Sequence, residues 1–174
     1  MLKKILIATA VLAASSTIAF ANGVPYVGAS IDVQANTAKS GTASARVMPG
    51  SIFAGYGATV APNVYLGGEI FGDVGSIVLN NNGLKSSYGI GASIIPGVMI
   101  SEHTMAYARA GLVRTHFTSL GTNVNGGQLG LGMQADINHD WAVRTEYDYT
   151  AYRTTHNVTP RADEFKVGLV YKID

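Results

Sequence analysis

The sequence predicts an all-β chain, an eight-stranded antiparallel up-and-down transmembrane β-barrel. Three observations predict it. Apolar and polar residues alternate with a period of two in segment after segment, as they must when successive side chains point to opposite faces of a strand. Beyond the N-terminus no apolar run reaches the length of a spanning helix, so any crossing must be made by strands. The connections alternate between short and longer, as they do when hairpins run up and down through a bilayer.

The N-terminal stretch comes first and stands apart. Lys3 and Lys4 form a basic region, Ile5 to Ala14 an apolar one, and Ala19-Phe20-Ala21 a small-residue cleavage site. This is the pattern of a secretory signal peptide, residues 1–21, with cleavage before Asn22. The apolar core is interrupted by Ser15, Ser16 and Thr17 and is short for a membrane anchor. The domain proper is then 22–174. Removing Lys3 and Lys4 leaves 10 basic residues against 11 acidic ones, a formal net charge of −1. That balance does not suggest a nucleic-acid partner, which would require a basic stripe. The chain has no cysteine, so no disulfide framework stabilises it.

The first strand, within 24–34, sets Val27, Ala29, Ile31 and Val33 against Gly28, Ser30, Asp32 and Gln34. A connection of small polar residues, 35–45, follows. The second strand, 51–60, sets Ile52, Ala54, Tyr56, Ala58 and Val60 against Ser51, Phe53, Gly55 and Gly57. Ala61-Pro62-Asn63 is a tight turn, with Pro presetting φ and Asn supporting the bend. The third strand opens at Val64, with Leu66, Gly68, Ile70 and Val74 opposite Gly67, Glu69, Phe71 and Asp73. A connection at 79–84 contains the turn signal Asn80-Asn81-Asn82-Gly83.

The fourth strand, 86–100, sets Tyr88, Ile90, Ala92 and Ile94 against Ser87, Gly89, Gly91 and Ser93. Pro96 predicts a bulge there, because it brings no ladder donor. After a turn at 101–104, the fifth strand, 105–117, sets Ala106, Ala108, Ala110 and Leu112 against Tyr107, Arg109, Gly111 and Val113. A connection at 118–125 leads to the sixth, with Leu129, Leu131, Met133, Ala135 and Ile137 opposite Gln128, Gly130, Gly132, Gln134 and Asp136.

The last two strands carry the clearest alternation. After the turn 138–140, Trp141, Val143, Thr145, Tyr147 and Tyr149 alternate with Ala142, Arg144, Glu146, Asp148 and Thr150. After a connection at 153–163, Phe165, Val167, Leu169, Tyr171 and Ile173 alternate with Glu164, Lys166, Gly168, Val170 and Lys172. Eight strands of about ten residues suit a tilted bilayer crossing. Both termini then lie on the short-turn side. Trp141 and Tyr171 mark one aromatic level on the apolar face, and Tyr88, Tyr149 and Phe165 a second, as interfacial girdles would.

Chemistry is sparse. The pairs Gly55/Gly57, Gly89/Gly91 and Gly130/Gly132 lie on strands and complete no phosphate loop; inward glycines make room in a narrow barrel. His103, His116, His139 and His156 are scattered without metal-ligand spacing, so neither a metal nor a cofactor is expected. The polar face carries Asp32, Glu69, Asp73, Arg109, Asp136, Arg144, Glu146, Asp148, Lys166 and Lys172. Mixed signs in a narrow interior imply mutual pairing, since an unpaired buried charge is costly. Glu69, Arg109, Arg144 and Glu146 should form one layer, with Asp148 and Lys166 above it, so that the network fills the lumen. A small gated pore is the alternative.

From residue 22 to 174 the chain resembles the small eight-stranded outer-membrane barrels of Gram-negative bacteria, the OmpA-like, OmpX-like and opacity-type group. The segment from Trp141 to Thr150 looks like that group's penultimate strand. Lys166, Gly168, Tyr171 and Ile173 resemble its assembly signal, although an aromatic residue is usual where Ile173 stands. The resemblance implies location in the bacterial outer membrane and a monomeric state. It implies lipid, lipopolysaccharide and the outer-membrane assembly machinery as partners. It also implies a structural or surface-interaction role, with adhesion or host contact through the longer loops. Some small barrels of this kind modify lipid A with a serine and histidine. The nearest approach here is His116-Phe117-Thr118, with threonine where serine is usual, so no enzyme is expected.

Overall fold

The computed structural model describes residues 23–37, 43–78, 85–117, 121–153 and 161–173, with side chains placed for 23–32, 50–73, 88–116, 121–153 and 161–173. It contains eight strands: β1 Val24–Thr37, β2 Ala43–Ala61, β3 Val64–Val78, β4 Lys85–Ser101, β5 Thr104–Phe117, β6 Thr122–Asp136, β7 Trp141–Tyr152 and β8 Arg161–Lys172. Each pairs antiparallel with the next, and β1 pairs with β8, so the sheet closes. Closure leaves no strand edge unpaired, which removes the edge liability of an open sheet.

Alternation sets the faces as the sequence predicts. Ile31, Ile52, Ile70, Ile90, Ile94, Leu112, Leu129, Leu131 and Leu169 are all at least half exposed on the outside. Tyr26, Phe53, Phe71, Tyr107, Arg109, Arg144 and Glu146 are buried inside. A contiguous apolar exterior of this extent is foreign to water and suited to lipid.

The short turns are firmly built. Asn63 adopts φ 63°, the left-handed conformation that asparagine tolerates best after glycine, and its carbonyl accepts a bond from Met99 N at 2.9 Å. Asn138 Oδ1 accepts from Asp140 N and Trp141 N at 3.0 and 2.8 Å, an Asx-type cap on the β6–β7 turn.

Several expectations are corrected. The strands outrun the alternation that marks them, so the longer connections shrink to residues 38–42, 118–121 and 153–160, with 79–84 as expected. The connection 118–121 is no longer than the β6–β7 turn at 137–140, so the length contrast is weaker there than the sequence suggests. No register shift occurs at Pro96. It pairs with Leu66, and the β4–β5 offset is the same at Ile94↔Ala110 and Gly97↔Tyr107. A strand residue's N–H serves only one neighbouring ladder, so proline forfeits one bond without forcing an extra residue in. The irregularities fall at Ser86/Tyr88 and Met99/Ser101 instead. Ala58, expected on the outer wall, is only 4% exposed and borders an internal cavity, next to the irregular register between Thr59 and Ala61.

Candidate functional site

The lumen holds the polar chemistry, and three strands supply its central layer. Period two turns Glu69 of β3, Arg109 of β5, and Arg144 and Glu146 of β7 to the inside. Arg109 Nη2 lies 2.5 Å from Glu69 Oε1, and its Nε lies 2.9 Å from Glu146 Oε1. That second contact is a close ion pair without an aligned hydrogen bond. Arg144 Nη1 donates to Glu69 Oε2 at 2.6 Å, while its Nε and Nη2 reach Gln134 Oε1 at 3.2 and 3.0 Å. Glu69 thus receives both guanidinium groups. Arg144 and Glu146, two residues apart on β7, share no direct contact of this kind.

Aromatic rings enclose the layer. The Arg144 guanidinium lies 4.7 Å from the Phe53 ring centre and 5.3 and 5.4 Å from those of Tyr107 and Tyr26. Arg109 lies 5.5 Å from Phe71. Tyr26 Oη donates to Glu69 Oε2 at 3.2 Å, and Tyr107 Oη to Glu146 Oε2 at 2.6 Å. Inward glycines make these rings possible. A Cβ on Gly91 would lie 2.3 Å from Phe71, and one on Gly132 2.3 Å from Tyr107. The open space among Phe53, Glu69, Phe71, Arg109, Arg144 and Glu146 is about 20 Å³, room for about one water.

Toward the longer loops lies a more acidic cluster. Lys166 Nζ is 3.3 Å from Asp148, 3.2 Å from Glu164 and 3.8 Å from Asp73. Ser51 Oγ stands 2.6 Å from Asp32 and 2.7 Å from Asp73. Gln128 Nε2 donates to Asp148 Oδ2 at 3.2 Å, but Asp148 Oδ1 and Gln128 Oε1 are buried acceptors without a protein donor. Toward the short turns a cavity of about 180 Å³ is lined by Tyr26, Tyr65, Met99, Met105, Gln134 and Asp136 among others. The Lys172–Asp136 pair, 2.7 Å apart, stands at its edge.

All six network residues singled out in the sequence therefore meet partners in the lumen. Sequence reasoning missed the tyrosines and Phe53 and Phe71 as part of the layer, although their parity marks them as inward. It also missed the Asp32–Ser51–Asp73 bridge, because serine carries no alternation signal. Of the assembly-signal residues, Lys166 and Gly168 are buried inside, and Tyr171 and Ile173 face outward. Trp141 and Tyr171 contact each other with ring centres 5.0 Å apart. Tyr88 and Phe165 are exposed on the outer wall, and Tyr149 is half-buried. His116 stacks on Tyr88, and its Nδ1 lies 3.0 Å from Asn123 Oδ1; Thr118 and His156 lie outside the described residues. Among the described residues no group of His, Asp or Glu is arranged to hold a metal.

An apolar wall around a paired, charged interior, closed by antiparallel strands alone, defines a membrane barrel of the bacterial outer-membrane type. The family model for the outer membrane protein beta-barrel domain matches residues 5–172, and the chain belongs to that family. The fold is similar to Neisserial surface protein A, at 17% identity and a TM-score of 0.60, covering 87% of this chain and 99% of that one. It is similar also to Ail, the attachment invasion locus protein of Yersinia pestis, at 14% identity and a TM-score of 0.56, covering 87% and 97%. No curated protein matches the chain in sequence.

Proposed function

We propose that the barrel is a monomeric outer-membrane scaffold whose lumen is plugged by side chains and whose role is structural or exercised in surface contact. The observation that carries this reading is the central layer, where paired charges and rings crowd around an open space of about 20 Å³. A barrel blocked at mid-height works through what it displays, and the segments available for display are the connections at 38–42, 79–84, 118–121 and 153–160. Adhesion or host contact through these loops is the role that the likeness to Ail, an attachment invasion locus protein, supports. A gated pore is the second reading. It is favoured by the 180 Å³ cavity that leads to the layer from the short-turn side. Lipid A chemistry at His116 is disfavoured, since the ring nitrogen faces an asparagine side chain rather than an acid.

Single-channel recording in planar bilayers separates the first two readings. The unmodified protein should show no steady, large conductance; such a conductance would reject the plug. Loop exchange in a cell-binding assay tests the surface role, and unchanged binding after replacement of all four loops would reject it.

Location and topology have their own expected results. The signal peptide should be removed at residue 21 and the mature chain recovered with outer membranes. In detergent it should be β-rich and migrate differently on gels before and after boiling. A monodisperse monomer in water without detergent would overturn this. The longer connections should lie outside the cell, so a tag near Asn81 or Asn157 should be accessible on intact cells. A tag at Asn63 or His139 should not, and the reverse pattern would invert the barrel.

A further inference from the structure

The cavity at the short-turn end gathers donors that the lumen network does not use. Met99 of β4 and Met105 of β5 face each other in the register, and both turn inward. Met105 is 5% exposed and clusters with Ile95 and Tyr107, and Met99 packs against that cluster. A Cβ on Gly97 would lie 3.0 Å from Met105 Sδ, so the glycine leaves room for the thioether to lie over β4. Gly97 and Met99 share one face of that strand. His103 sits in the turn between β4 and β5. Its carbonyl accepts from Asp136 N at 2.8 Å, and its N–H donates to Ser101 Oγ at 3.3 Å, which ties down the backbone that carries the ring. All three residues line the 180 Å³ cavity.

The harder groups on the same wall are already engaged. Asp136 holds Lys172 at 2.7 Å, so the two charges offset each other. Gln134 Oε1 accepts from Arg144, and the Tyr26 hydroxyl donates to Glu69. Histidines and carboxylates alone form no metal cluster among the described residues. The donors that converge on this space are two thioethers and an imidazole, all of them soft or borderline and all without negative charge.

We propose that Met99, His103 and Met105 form a binding site for a soft monovalent metal cation, of the copper(I) and silver(I) class. Thioether sulfur selects such ions, whereas zinc is held by thiolate, imidazole and carboxylate. A neutral donor set in a wall whose charges are paired suits a single positive charge better than two. Methionine has three rotatable bonds, so two thioethers facing each other across a hairpin can close on an ion without moving the strands. The cavity opens toward the short turns, so the ion enters from the periplasmic side in the expected topology.

The test titrates silver(I), which needs no reductant, into the refolded full barrel in detergent and chloride-free buffer. Binding is read by calorimetry and by the NMR signals of the methionine methyl groups. Silver should shift the methyl signals of Met99 and Met105 and leave that of Met133, outward on the lipid face, unmoved. M99L, M105L and H103N should each weaken binding by at least about tenfold, the lower scale for losing even an outer-shell partner of a metal ligand. H139N, in the β6–β7 turn, should leave affinity unchanged, and zinc should not displace silver. Leucine nearly conserves the volume of methionine, so urea midpoints without metal should stay close to that of the unmodified chain. Where a variant fails to fold, the methyl shifts in the unmodified barrel decide alone. Unmoved Met99 and Met105 signals, or equal silver affinity in M99L/M105L and the unmodified chain, would overturn the site. An equal loss in H139N would overturn His103 as a ligand, and displacement by zinc would overturn the soft class of ion. A reversed tag pattern on intact cells would move the cavity mouth to the other side of the membrane without abolishing binding.

Discussion

Arg109→Ala is expected to destabilise the barrel by about 3–5 kcal/mol, the scale of removing one partner from a buried ion pair. Arg109 joins two carboxylates, Glu69 and Glu146. Without it Glu146 keeps the Tyr107 hydroxyl at 2.6 Å but no cation of the central layer. Arg144→Ala should fall at the lower end of that range. Glu69 would still hold Arg109 and Tyr26, but Arg144 also packs among three aromatic rings, and that contact would be lost too. Water entering the gap would lessen both values. The sharper measurement is a double-substitution cycle in urea. Replacing Arg144 and Glu69 together by Met should be milder than the sum by about 0.5–3 kcal/mol, because the charges leave as partners. The coupling of Arg144 with Glu146 should be smaller, since Glu69 and Arg109 lie between them. Additive effects in the Arg144/Glu69 cycle would reject the pairing.

Much of this arrangement is legible in the sequence because a strand's period is two. That one number gives eight strands and the inward set from Asp32 to Lys166. Turn chemistry marks the ends where it is specific, as at Pro62-Asn63. It does not mark where pairing stops among small polar residues. Residues 35–37 and 43–50, and 122–127, continue their ladders with few large apolar side chains to announce them. Parity also says nothing about who meets whom across a lumen. Arg144 and Glu69 belong to β7 and β3, and only closure and strand tilt bring them to one height. From sequence, Glu69 and Glu146 of the expected layer are both open to Arg144, and its guanidinium takes Glu69, across the barrel.

The complementary result concerns the outer wall. Leu131→Arg is expected to cost about 2–4 kcal/mol in a bilayer, the value for a cation on the lipid face near the midplane. Leu131 is 69% exposed, and its row neighbours Ala108 and Tyr147 also face outward. A guanidinium there has hydrocarbon on every open side, and snorkelling to either interface must cross several rows of apolar side chains. Met133→Arg and Val143→Arg should be graded below it as the short-turn interface approaches, and Ile173→Arg should cost at most about 1 kcal/mol. Gln134→Arg is the inward counterpart, three residues along the same strand. It removes the acceptor used by Arg144 and places a like charge beside it. Yet Gln134 borders the 180 Å³ cavity, which also holds Asp136, so the new cation has room, water and a carboxylate within reach. Its cost should stay near the roughly 1 kcal/mol of a lost hydrogen bond. Unfolding in phospholipid vesicles checks the contrast directly. Similar penalties at 131 and 134 would mean that the two faces are assigned wrongly, because in water both positions would be solvated and the parity of the strand would have no solvent to distinguish.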